Sequence, residues 1–216
     1  MKIDQFYSRE EEISNTISHA LGILLGVGGG YILISAAIRN PDVWALPSVI
    51  AYLMGMLSSY ITSTCYHAST NGHRKSIWRK CDHAAIYLHI AGTYIPFILL
   101  ILRNVGIWGW ALFSFISLAS VAGVILSFAK LKNHSNLETI CFILMGCSIL
   151  VAFKPLYEVL SMEGKTQALY WLIAGGVSYI GGAIFYSWKR KYMHTIFHLF
   201  VLGGSICHII SIYIIL

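Results

Sequence analysis

The sequence predicts an all-α membrane protein, a bundle of seven transmembrane helices. Hydrophobic residues make up 57% of the 216-residue chain and charged residues only 11%, whereas a soluble globular domain carries about 25% charged residues. Because so few charges cannot cover the surface of a soluble protein, we expect lipid to be the solvent. Apolar runs of about 20 residues, long enough to cross the hydrocarbon core as helices, occur roughly at 17–38, 44–67, 82–102, 107–129, 137–157, 167–188 and 194–215.

Short polar linkers join these segments, so residues 1–216 are predicted to form a single seven-helix domain. Pro96 lies inside the third segment and is expected to kink it. The fifth segment is the weakest, because Lys154 and Pro155 interrupt its end. Tryptophan prefers the interface between membrane and water. The tryptophans lie near segment ends, at Trp44, Trp78, Trp108, Trp110, Trp171 and Trp188.

The distribution of Lys and Arg predicts which way the chain crosses the membrane. Four of the 15 fall on one side, namely Arg39, Arg103, Lys154 and Lys165. The others fall on the side of the N-terminus: Lys2, Arg9, Arg74, Lys75, Arg79, Lys80, Lys130, Lys132, Lys189, Arg190 and Lys191. Because cytoplasmic loops carry an excess of Lys and Arg, the N-terminus is predicted to be cytoplasmic and the C-terminus outside. This is the reverse of the G-protein-coupled receptor arrangement, so we do not expect that class.

Charge and cysteine content narrow the functional classes further. The net charge of +6 is interpreted as loops that face anionic lipid. No basic stripe with interleaved aromatic residues lies outside the hydrophobic segments, so no nucleic-acid partner is predicted. The chain has 5 cysteines and no C-x-x-C pair, which indicates buried free thiols rather than a disulfide framework.

Ionisable residues at membrane depth are costly and are candidates for function. Glu12, Asn15 and His19 are spaced by three and four residues, so they share one face of the helix that enters the membrane. They are either functional or simply the polar first turns of a helix. Ser63 and His67, also four residues apart, lie near the cytoplasmic end of the second segment. There His67 is either a metal ligand or a hydrogen-bonded packing residue.

Asp82 and His83 open the third segment. Asp82 is either functional or a residue that favours the helix N-terminus through the helix dipole. His89 lies two turns further along, on the same face as Asp82. It is interpreted as structural or as lining a cavity.

The last segment contains His194, His198 and His208. His194 and His198 are four residues apart, so both imidazoles project from one face at adjacent turns, which is a spacing typical of helical metal ligands. His208 lies near the opposite leaflet, too far away to share the same ion. We interpret it as a buried polar contact.

The predicted orientation brings these groups into one layer of the membrane. The second segment ends on the cytoplasmic side, while the first, third and seventh begin there. At about 1.5 Å per residue, the residues that fall within about two turns of that edge are His19, Ser63, His67, Asp82, His194 and His198. Three histidines with an adjacent carboxylate suit zinc, and three protein ligands leave a fourth position for water. The sequence therefore predicts one metal site, with zinc preferred.

Four stretches of this chain carry a family resemblance: EEEISNTISH (10–19), SSYITSTCYH (58–67), CDHAAIYLHIAGTYIPF (81–97) and HTIFHLFVLGGSICH (194–208). In their order and spacing, the sequence resembles the bacterial branch of the progestin and adipoQ receptor and hemolysin III family. The resemblance implies a zinc ion held by His67, His194 and His198, with Asp82 reaching the ion through a bound water. It also implies a multi-pass protein of the inner (plasma) membrane, related to membrane hydrolases that include alkaline ceramidases.

The leading hypothesis is zinc-assisted hydrolysis of a lipid amide or ester, with a membrane lipid as substrate or ligand. Asp82 would orient or deprotonate the attacking water, and Ser63 would donate a hydrogen bond to the developing oxyanion. Glu12, Asn15 and His19 would support the site or line its cytoplasmic mouth. The sequence leaves open the substrate, the oligomeric state and the roles of His83, His89 and His208.

Two other classes remain open. The first is a non-enzymatic membrane sensor or regulator in which zinc is a structural staple. The second is a hemolysin-like channel or lytic protein, although the polar residues form one layer and do not continue along a path through the bundle. The chain lacks the long N-terminal domain of the eukaryotic receptors, so hormone-receptor function is not expected.

Overall fold

A computed structural model of the protein describes residues 7–129, 137–188 and 190–216. These residues form helices and contain no strand. The α-helices are α1 (Arg9–Arg39), α2 (Ala45–Ala68), α3 (Gly72–Pro96), α4 (Trp108–Phe128), α5 (Leu137–Cys147), α6 (Phe153–Met162), α7 (Thr166–Ser187) and α8 (Met193–Ile215). Among the residues behind the predicted orientation, four lie outside the described ranges: Lys2, Lys130, Lys132 and Lys189.

The eight helices make seven membrane spans within the described ranges. A π-helical turn (Phe97–Leu102) extends α3, and a 3-10 turn (Ser148–Ala152) joins α5 to α6. Each span is long and apolar enough to cross a membrane, so the predicted all-α, seven-span architecture is confirmed. Large apolar side chains cover the outside of the bundle, as a lipid-facing surface requires; examples are Leu24, Leu118 and Val151. The described cysteines are free.

The first and third spans begin earlier than their apolar runs. We predicted starts at residues 17 and 82, whereas α1 begins at Arg9 and α3 at Gly72. The hydroxyl of Ser8 accepts the backbone N–H of Glu11 while the Glu11 carboxylate accepts the N–H of Ser8, which closes a capping box around α1. Asn71 caps α3 in the same way, through the N–H of Arg74. Each helix therefore carries polar turns that hydropathy does not detect.

The fifth span is broken inside the bundle, close to where its sequence is weakest. Its backbone leaves the α-helix between Cys147 and Phe153. The phenol of Tyr94 lies against this break, where it donates to the carbonyl of Met145 at 2.9 Å and accepts the N–H of Ile149 at 3.0 Å. A buried side chain thus satisfies backbone groups that lipid could not.

Helices α2 and α3 pack at backbone contact distance, because glycines lie at their crossing. A Cβ atom on Gly55 would collide with the carbonyl oxygen of Leu88, and a Cβ on Gly92 would lie 2.9 Å from the carbonyl oxygen of Ala51. Small residues at helix contacts allow this close approach in membranes. The crossing holds the helix that carries Ser63 and His67 against the helix that carries Asp82.

Candidate metal centre

Helices α2 and α8 bring three histidines together at the end of the bundle where α1 and α8 begin. One nitrogen atom from each of His67, His194 and His198 lies within 4.8 Å of the other two. The Nε2 atom of His194 is 3.2 Å from Nε2 of His67 and 3.0 Å from Nε2 of His198. His67 and His198 are buried, and His194 is half-buried. The i, i+4 spacing in α8 therefore does present two imidazoles to the histidine of α2.

The opposite nitrogens of two of these rings have fixed partners. Nδ1 of His67 is 2.7 Å from the carboxylate of Glu12, and a carboxylate only accepts, so this nitrogen carries the proton. Nδ1 of His198 is 2.9 Å from the hydroxyl of Ser18, which itself donates to the carbonyl of Asn15 at 2.9 Å. The Ser18 hydroxyl is therefore an acceptor toward His198. When each ring carries only this one proton, its lone pair is left on Nε2, pointing into the cluster.

This arrangement fits a metal cation better than it fits hydrogen bonding. The Nε2 atom of His194 lies near two lone pairs, and its single proton could serve only one of them. At least one lone pair that faces the cluster is therefore left without a proton, and a cation between the rings would satisfy it. In a tetrahedral zinc site with Zn–N bonds of about 2.0–2.1 Å, two ligand nitrogens lie about 3.3 Å apart. The nitrogen–nitrogen distances of 3.2 and 3.0 Å in this cluster are close to that value. These three residues could therefore hold a metal ion.

Asp82 and Ser63 form a pair beside this cluster. The hydroxyl of Ser63 hydrogen-bonds the carboxyl of Asp82, and the side chains of His67 and His83 lie near the same carboxyl. Within the described residues, Asp82 does not belong to the set of mutually close donor atoms. Contact with an ion at the three histidines would therefore pass through a bridging molecule. The predicted hydrogen bond from Ser63 to a developing oxyanion stays a prediction.

The three polar residues predicted on α1 all reach this region. Glu12 bridges two helices, because its second carboxylate oxygen is 2.9 Å from the ammonium of Lys75. The side-chain oxygen of Asn15 accepts the hydroxyl of Thr195 at 2.6 Å. The ring of His19 stacks on that of His198 with centroids 3.5 Å apart. Helix α1 thus supports the cluster.

Sequence reasoning missed several residues around the cluster. Ser18 lies three residues after Asn15, so helical spacing from Asn15 could have found it. Lys75 and Thr195 carry no such signal, because their partners lie on other helices. Glu138 accepts from Nδ1 of His83 at 2.5 Å and ties α5 to α3 beside Asp82.

Tyr7 covers the outer side of the histidine cluster. Its ring centroid lies 4.9 Å from that of His194 and 5.7 Å from that of His67. Tyr66 packs against His67, and Tyr186 packs against His194. Burial raises the pKa of the Tyr7 phenol well above its ordinary value, so this ring stays neutral. We call Tyr7, Tyr66 and Tyr186 the aromatic collar.

We expect the substitution Glu12→Gln to weaken metal binding by about 10- to 100-fold, the usual cost of losing the partner of a ligating histidine. The amide keeps the shape of the side chain but removes the charge that orients and polarises His67. Competition with a chromophoric chelator on detergent-purified protein measures this affinity. Glu10→Gln is the matched control, because Glu10 is exposed on the same helix and the same charge is lost. Equal affinities for the two variants would contradict the predicted support by Glu12.

Comparison with known proteins agrees with the fold and the motifs. The sequence profile of the family described as "Haemolysin-III related" matches residues 7–209. The chain is 39% identical over 197 residues to "Hemolysin-3" of Bacillus cereus, covering 91% of this chain and 87% of that protein. It is 36% identical over 200 residues to "Hemolysin-3 homolog" of Bacillus subtilis (strain 168), covering 92% and 91%. Human "Monocyte to macrophage differentiation factor" is 28% identical over 210 residues, covering 94% and 83%.

Proposed function

This chain belongs to the haemolysin III family, and we propose that it is a zinc-binding membrane protein that hydrolyses an amide or ester bond in a membrane lipid. The observation that carries the proposal is the convergence of three imidazole nitrogens inside a seven-span bundle. Zinc is one of the metal ions that imidazole ligands bind well. Three protein ligands leave one coordination position for a water or a substrate, as in catalytic zinc sites. The plasma membrane is the proposed location.

The ion would supply a Lewis acid and would lower the pKa of a bound water to about 7. Asp82 is the proposed general base: its carboxylate accepts a proton from the attacking water and later gives it to the leaving amine or alcohol. Water thus adds across the scissile bond, and Asp82 returns to its starting state. Ser63 keeps the Asp82 carboxyl oriented through their hydrogen bond. Glu12 and Ser18 hold the rings of His67 and His198.

The proposed route for a lipid substrate lies beside α5. Among the residues of α5, Met145 is the buried one, so this helix packs loosely at the end of the bundle that carries the site. At this end of α5, Glu138 pairs with His83 of α3. Entry between α5 and its neighbours would bring a lipid headgroup to Asp82 while the acyl chains stay in the bilayer. The relation of the resembled family to membrane hydrolases that include alkaline ceramidases favours a lipid amide.

The test is turnover by zinc-loaded protein in lipid vesicles, using a panel of ceramides, other N-acyl lipids and phospholipid esters, with products measured by mass spectrometry. We expect product from wild type and at least about a 100-fold loss in Asp82→Asn, since a general base contributes about 10²–10⁴-fold. Asp42→Asn is the control, because Asp42 lies outside the spans and pairs with Arg103. A wild type without product, or an Asp82→Asn variant as active as wild type, would refute the proposal.

A structural metal is the second candidate function, and the contacts of the ligands favour it. The cluster joins α2 to α8 directly and α1 through Glu12 and Ser18. An ion in this position would staple three helices of a sensor or regulator. Chelation distinguishes the two functions. A structural metal predicts unfolding of the metal-free protein, whereas a catalytic metal predicts a folded protein that has lost turnover.

The name shared by the two Bacillus relatives suggests a lytic activity as a third candidate. Planar bilayer recordings on the purified protein test this function. Conductance steps that survive loss of the three histidines would support it. A silent bilayer would exclude it.

A further inference from the structure

A row of polar side chains continues from the metal centre into the middle of the bundle. His19, stacked on His198, has its ring centroid 5.2 Å from that of Tyr60. The hydroxyl of Ser205 then joins two phenols, at 2.8 Å from Tyr60 and 2.9 Å from Tyr179. We use the name buried polar strip for the following set of residues: His19, Tyr60, His89, Tyr179, Ser205 and His208.

Two further histidines complete the strip. The ring centroid of Tyr179 lies 6.0 Å from that of His89 and 5.2 Å from that of His208. Our sequence reasoning placed the polar residues in one layer, whereas these contacts extend them toward the other half of the membrane. The sequence did not reveal this, because the members come from α1, α2, α3, α7 and α8, and only their packing makes them neighbours.

Several atoms of the strip are buried without a hydrogen-bond partner. His19, His89 and His208 are 4%, 6% and 6% exposed. Among the described residues, neither ring nitrogen of His19 has a partner, and Nε2 of His89, Nδ1 of His208 and the phenol of nearby Tyr52 lack one as well. Leaving a buried polar atom unpaired costs about 1–3 kcal/mol. Because several unpaired polar atoms lie in one row, we expect a small polar ligand to bind beside them.

The shape of the strip limits what that ligand is. Glycines make room for its rings: a Cβ on Gly204 would lie 2.8 Å from Tyr179, and Cβ atoms on Gly22 and Gly175 would collide with Tyr60 and His208. The rings therefore approach the helix backbones closely at these glycines, which favours a ligand as small as water. The strip carries no carboxylate or ammonium to pair with an ion. Its neutral donors and acceptors match water, which binds buried sites through two to four partners.

We propose that the buried polar strip binds a file of ordered water molecules that begins at His19, whose ring is stacked on that of the metal ligand His198. The file ends inside the bundle. Beyond His208 the buried side chains of α8 include Ile212 and Ile215, and the hydroxyl of Ser211 is occupied by the carbonyl of Ala168. The strip is thus a blind store of water and not a channel.

Its role rests on the proposed function. Hydrolysis consumes one water molecule for each bond broken. The aromatic collar covers the histidine cluster on the side that is predicted to face the cytoplasm, where bulk water would otherwise enter. A file that reaches the metal ligands from the interior would deliver that water without passing the collar. His19 is the contact between the store and the metal ligands.

Radiolytic hydroxyl labelling tests the water file without requiring turnover. Brief X-ray exposure of the full-length protein in nanodiscs oxidises buried side chains only where bound water lies beside them. We expect Tyr60, Tyr179, His89 and His208 to be modified several-fold faster than Tyr94, which is also buried but has protein partners for its hydroxyl. Labelling of the strip no faster than that of Tyr94 would overturn the proposal.

A pair of variants separates bound water from general loosening of the fold. His89→Phe places an apolar ring in the strip, and we expect labelling of Tyr179 and His208 to fall to the level of Tyr94. His73→Phe, at an exposed position of the same helix, should leave it unchanged. Unaltered labelling in folded His89→Phe protein would count against the file. Labelling with no detectable lipid hydrolysis would retain the water file and reject only the proposed reaction.

Discussion

Replacing His67 with alanine is expected to abolish stoichiometric metal binding, and so is the double replacement of His194 and His198 with alanine. Detergent-purified wild type should carry about one zinc per chain, the content of a mononuclear site. Nε2 of His67 and of His198 each faces Nε2 of His194. Loss of His67 thus leaves two donors, and the double variant leaves one. Elemental analysis by mass spectrometry measures the result directly.

His73→Ala is the control for these variants, because it removes an exposed histidine from outside the cluster. It should retain the wild-type metal content. A wild type without metal, even when zinc is supplied throughout purification, would remove the basis for the hydrolase. The histidine layer would then need another explanation, such as a proton-linked polar network. The seven-span fold would not be affected.

The membrane spans were predictable because one physical requirement dominates them. A helix in lipid must hide its backbone and present about 20 apolar residues, so each run appears directly in the sequence. The starts of α1 and α3 were missed for the same reason. Their first turns, capped by Ser8 and Asn71, are polar and depend on hydrogen bonds that hydropathy does not register.

The candidate site was predictable only in part. Helical spacing put His194 and His198 on one face, and the predicted orientation put His67 in the same layer. The contacts that orient these rings depend on distant pairings, such as Glu12 with His67 and Ser18 with His198. A single sequence contains no signal for such pairs. They become visible when the packing of α1 against α2 and α8 is known.

The substitution Gly55→Ala is expected to produce the largest loss of stability. In a helix, alanine is normally favoured over glycine by about 1 kcal/mol. Here the added methyl group would overlap the carbonyl oxygen of Leu88 and lie 3.1 Å from Cα of His89. Both are backbone atoms, so no side-chain rotation relieves the clash, and α2 and α3 must separate. Overpacking of this kind costs about 1–3 kcal/mol, which corresponds to a loss of at least about 2–4 °C in Tm for a chain of this size.

The separation would also reach the metal centre. Ser63 and His67 follow Gly55 on α2, and their interactions with Asp82 of α3 depend on the spacing at this crossing. We therefore expect Gly55→Ala to lower Tm and, in the fraction that stays folded, to reduce turnover more than metal content, because the histidine ligands lie on α2 and α8 and Asp82 lies on α3. Gly28→Ala is the matched control, since a Cβ there has nothing within 4 Å. Thermal denaturation of both variants in detergent decides the point: a Tm for Gly55→Ala equal to that of Gly28→Ala would mean that close packing of α2 on α3 does not hold the site together.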